Sequence, residues 1–174
     1  MELADGATAS FTMSAFSKSG GRELLARWEE IYLERLRPKL LMGRYSIVGG
    51  KTLQDLLSLI RLHYPDGRVI AGGDLGASLL TGEIRPEKVT LHINEAASKV
   101  MSALKLRPDP EGNVTLLEVF GQQNAWNNHK DGDITVAEPL FIHAELMLLG
   151  GERIRTVAER IYDDYLLTGA KHAS

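Results

Sequence analysis

The stretch Val69-Ile70-Ala71-Gly72-Gly73-Asp74-Leu75-Gly76-Ala77 constrains the fold of this chain more than any other. It reads as an apolar strand that turns on a diglycine and opens at once into a helix carrying Leu75, Leu79 and Leu80. Glycines at such a turn serve one of two ends. They let a helix pack closely on its sheet, or they let backbone approach a phosphate at the positive helix end. Asp74 argues against the second, because a carboxylate in the first turn already complements that end.

Strands and helices alternate around this segment. Leu25, Trp28, Ile31/Tyr32 and Leu36 recur at helical spacing from Arg22 to Arg37, and Pro38 predicts that the helix stops at Arg37. Leu40 to Val48 reads as a strand that Gly49-Gly50 breaks. Thr52 and Asp55 resemble an N-terminal capping pair ahead of the stripe Leu53, Leu56, Leu57 and Ile60. Pro65-Asp66-Gly67 is a turn. Val89, Leu91 and Ile93 alternate with Thr90 and His92, which predicts a half-buried strand with those two facing outward. A helix from Glu95 to Leu104 runs on into a short strand, and Pro108 to Asn113 turns into a strand from Val114 to Phe120. Gly121 to Asp133 is polar and without regular pattern, followed by a small strand from Ile134 to Val136. Pro139 suits the first turn of a helix that is apolar nearly all round from Leu140 to Leu149, and is therefore buried. Gly150-Gly151 ends it, and a last helix covers Glu152 to Leu167.

The pattern predicts an α/β (α+β) fold: a mixed sheet flanked by helices, with a C-terminal helical hairpin on its side or end. A length of 174 residues fits one domain, here 22–170, behind a flexible N-terminal tail at 1–21. Net charge is −3, from 20 basic and 23 acidic side chains, so no strong field draws the whole molecule to nucleic acid or an anionic membrane. The absence of cysteine excludes disulfides, thiolate metal sites and cysteine nucleophiles. No membrane span and no export signal is readable, which predicts a cytoplasmic protein.

Few residues suggest chemistry. The five histidines, His63, His92, His129, His143 and His172, lack the close helical partners of a zinc site, and no serine sits in a nucleophile elbow. No catalytic set, metal site or cofactor is expected. Gly72, Gly73 and Asp74 are the candidate ligand or phosphate contacts. Arg35, Arg37, Lys39 and Arg44 gather around one helix–strand junction, which suits either a nucleic-acid contact or a solvated helix end. Trp126, alone in a polar stretch, is either an interface contact or an anchor for its own loop.

Strand, Gly72-Gly73, helix, Arg85 and a second strand from Lys88 to Ile93 resemble the opening of the nucleotidyltransferase fold. Active members of that superfamily carry two carboxylates, one residue apart, on the second strand, to hold a divalent metal. Here Thr90 and His92 stand at those positions, so the resemblance is to a degenerate member without a metal site. The alternative is a nucleotide-binding or nucleotidyltransferase-like enzyme that uses the Gly72-Gly73 turn.

Four longer blocks resemble the C-terminal domain of AbiEi-family antitoxins, the regulators of type IV toxin–antitoxin systems. They are Leu25-Ala26-Arg27-Trp28 through Leu36-Arg37-Pro38 to Tyr45; Gly72 to Gly82 with Arg85-Pro86 and Val89-Thr90-Leu91; Leu106 to Val114; and Val136 to Leu146, continuing to Ile161-Tyr162. The resemblance implies a non-enzymatic, abortive-infection regulator that represses its own operon. It would counter a cognate nucleotidyltransferase-like toxin without a tight complex. The DNA-binding winged helix usual in such antitoxins is expected to be absent, because about twenty tail residues stand in its place.

Overall fold

A computed structural model describes residues 21–121 and 129–167. The expected tail therefore lies almost wholly outside the described residues, as does Trp126. A seven-stranded mixed sheet forms the middle layer, in the order β4-β1-β5-β3-β2-β7-β6. Its strands are β1 (Leu41–Ile47), β2 (Val69–Gly72), β3 (Val89–Ile93), β4 (Leu106–Pro108), β5 (Val114–Glu118), β6 (His129–Asp131) and β7 (Ile134–Val136). β3 runs parallel to β5, and β2 to β7, while the remaining pairs are antiparallel. The strand β6 was not legible: it lies inside the polar stretch from Gly121 to Asp133, and backbone pairing with β7 makes it a strand without an apolar pattern.

Helices α3 (Leu53–His63) and α5 (Ala97–Leu104) cover one face. Leu56, Leu57, Ile60, Val100 and Leu104 pack there on Val69, Leu91, Val114 and Leu116. The capping pair closes as expected: Asp55 N–H donates to the Thr52 hydroxyl, and the Thr52 N–H donates to the Asp55 carboxylate.

The other face carries α1 (Gly21–Ile31), α4 (Gly73–Thr81), α6 (Pro139–Leu149) and α7 (Glu152–Ile161). Ile70, Ala77, Phe141, Ile142, Leu146, Val157 and Ile161 form that core. The C-terminal hairpin does not sit at the side or end of the sheet. α6 is wedged between α4 and α7 and touches β2, because a helix apolar all round needs cover on every side. The same packing corrects the half-buried reading of β3. All five of its residues are buried, Thr90 and His92 included.

The first helix does not stop before Pro38 either. After Ile31 it widens into a π-helical segment, Tyr32–Leu36, and continues as α2 (Arg37–Leu40). The Arg37 N–H donates to the Tyr32 carbonyl, five residues back. The extra residue moves Pro38 into the first turn of a new helical piece, where its missing N–H costs nothing. A second π-helical segment, Tyr162–Leu167, follows α7. Among the described residues no helix is long and apolar enough to cross a membrane.

Candidate functional site

β2 ends at Gly72 and α4 begins at Gly73, so the diglycine forms the joint itself. Gly73 has φ of +55°, a left-handed conformation that favours glycine. Both glycines are also needed for space. A β-carbon at Gly72 would stand 2.5 Å from Nε2 of His92, and one at Gly73 would stand 2.9 Å from the Thr90 hydroxyl. One turn on, a β-carbon at Gly76 would meet the end of Ile142 at 2.8 Å and the Ala71 carbonyl at 2.9 Å. Three small residues thus let α4 lie flat between β2 and α6.

Register explains which side chains reach the joint. β2 and β3 are antiparallel, with Gly72 opposite Thr90 and Ile70 opposite His92. The two residues of β3 nearest the diglycine therefore carry a hydroxyl and an imidazole. His92 is fully buried, edge-on to Phe141 with ring centroids 6.3 Å apart. Burial, and secondarily the positive charge of Arg37, push its pKa down to about 3, so the imidazole is neutral at physiological pH. Asp74 is buried in the first turn of α4, and its Oδ2 accepts from the N–H groups of Glu87 and Lys88 at 2.9 and 2.8 Å. The carboxylate ties the loop entering β3 to the start of α4. Burial pushes its pKa up, against the pull of those N–H groups.

A polar cluster that motif reading missed lies beside this joint. α6 buries two ionisable residues in an otherwise apolar helix, His143 and Glu145. Glu145 Oε1 accepts from the Tyr32 hydroxyl at 3.0 Å and from Arg37 Nε at 2.7 Å. A β-carbon on Gly73 would stand 3.8 Å from the β-carbon of Glu145. His143 Nδ1 pairs with buried Glu29 of α1. Trp28 stacks on Tyr32, and both meet Phe141 edge-on, which seals the cluster with aromatic rings. Burial and the Glu145 charge raise the Tyr32 phenol pKa, so it stays a donor. The signal was present in the sequence: an acid and a histidine in a continuous apolar helix require partners. What was missing was which segment would supply them.

The four cations expected at one junction have different surroundings. Arg37 turns inward to Glu145 with 18% of its side chain exposed. Arg44 donates to the Gly112 carbonyl at 2.8 Å. Arg35 lines a shallow groove with Arg27, Glu30, Ile31 and Glu34, and Lys39 is exposed. The structure adds Arg107, which β4 places opposite Ser46 and hence on the same sheet face as Arg44. Among the described residues no three His, Cys, Asp or Glu side chains are grouped to hold a metal ion.

No curated protein and no solved structure matches the chain. A family model described as transcriptional regulator, AbiEi antitoxin, type IV toxin–antitoxin system matches residues 19–167. That span contains the diglycine joint, the Glu145 cluster and both layers of helices, and on this match the chain belongs to the AbiEi antitoxin family of type IV toxin–antitoxin regulators.

Proposed function

We propose that this chain is a non-enzymatic regulator that counters a nucleotidyltransferase-type toxin in the cytoplasm. One observation carries the non-enzymatic part: the strand beside the diglycine presents Thr90 and His92 to it. A hydroxyl and a neutral imidazole do not neutralise a phosphate-bound divalent metal as two carboxylates would. Space also supports the reading. The His92 ring and the Thr90 hydroxyl fill the space beside the two glycines, leaving less room for a phosphate.

The test is expression of the full chain together with the toxin encoded beside its gene. Restored growth is the expected result, and unrelieved toxicity overturns the antitoxin reading. The alternative, a nucleotide-binding enzyme that uses the Gly72-Gly73 turn, is tested separately by calorimetry with each nucleoside triphosphate and magnesium. A flat titration is expected, and saturable heat favours the enzyme.

A second reading concerns the operon. Arg44 and Arg107 are exposed on one sheet face, which suits contact with a nucleic-acid backbone. Operator binding that weakens steeply with salt and vanishes in Arg44→Glu/Arg107→Glu supports this contact. Binding unchanged in that variant removes it.

A further inference from the structure

We draw no further inference here: the strongest candidate, the outward face of the first helix where Ile31 stands half exposed among Arg27, Glu30, Glu34 and Arg35, is an unpartnered face, and nothing in the structure shows what covers it.

Discussion

Arg37 and Glu145 stand 108 residues apart in the chain and meet at 2.7 Å, Nε to Oε1, almost out of solvent. The π-helical widening at Tyr32–Leu36 makes this possible. In a regular helix of about 3.6 residues per turn, the face that holds Glu29 and Tyr32 returns four residues later at Leu36, not at Arg37. The extra residue brings a guanidinium to the face that meets α6.

Removing one partner of this pair strands a charge. Glu145→Ala is expected to cost about 3–5 kcal/mol in chemical denaturation, because Arg37 and the Tyr32 hydroxyl lose their acceptor together. Arg37→Met/Glu145→Met, which removes both charges at similar volume, is expected to cost only about 1–3 kcal/mol, for the buried Tyr32 hydroxyl left without its acceptor. Tyr32→Phe should cost about 1 kcal/mol, the value of one hydrogen bond. A double variant as damaging as Glu145→Ala would show that the pair does more than satisfy itself.

The glycines should separate by cause. Gly82 has φ of +69° and open space around its missing β-carbon, so Gly82→Ala reports backbone strain alone, roughly 1 kcal/mol. Gly72→Ala reports steric conflict, since Gly72 is extended but its β-carbon meets the His92 ring. About 1–3 kcal/mol is expected for that overpacking. Gly72→Ala/His92→Ala should recover part of the loss, and no recovery would mean that the ring is not the obstacle.

Gly112→Ala is expected to be the most harmful glycine substitution, because its β-carbon would collide with the Tyr45 carbonyl, which is backbone and cannot rotate away. Soluble yield and the far-ultraviolet spectrum of the purified variant check this.

Two buried groups give the pH profile opposite slopes. The unfolded chain protonates His92 near pH 6.5, whereas the folded chain resists until about pH 3. The His92 contribution is therefore whole above pH 6.5 and declines by about 1.4 kcal/mol per pH unit as pH falls toward 3. His92→Leu should lack that component of the acid slope. Asp74 has a raised pKa, so its contribution is whole below the ordinary carboxylate pKa and is lost as pH rises through the folded value. Asp74→Asn should accordingly gain on the native chain as pH rises. Denaturation midpoints measured across pH 4 to 8 check both, and parallel curves would contradict them.

Legibility followed the range of the cause. Local signals were read correctly where the deciding atoms lie within a few residues, as in the Thr52–Asp55 cap, the Pro65-Asp66-Gly67 turn and the diglycine joint. The fate of Thr90 and His92 was misread because an alternating strand does not reveal whether a second helical layer covers its polar face. Pro38 was misread because the π widening serves a contact with Glu145, which no local pattern contains. β6 escaped notice because its strand state comes from pairing with β7 rather than from its own side chains. At the candidate site, residue types were legible at Gly72, Gly73, Thr90 and His92. The Glu29–His143 and Arg37–Glu145 pairings were not, since sequence spacing carries no record of contacts more than a hundred residues apart.

The strand that carries the diglycine receives its second neighbour only from Ile134–Val136, more than sixty residues downstream. During synthesis the chain can therefore extend beyond Glu118 while one edge of its most apolar strand still lacks a hydrogen-bonding partner. Ribosome-bound chains of that length should be prone to aggregate, and chaperone demand should peak there and fall once residue 136 has cleared the exit tunnel.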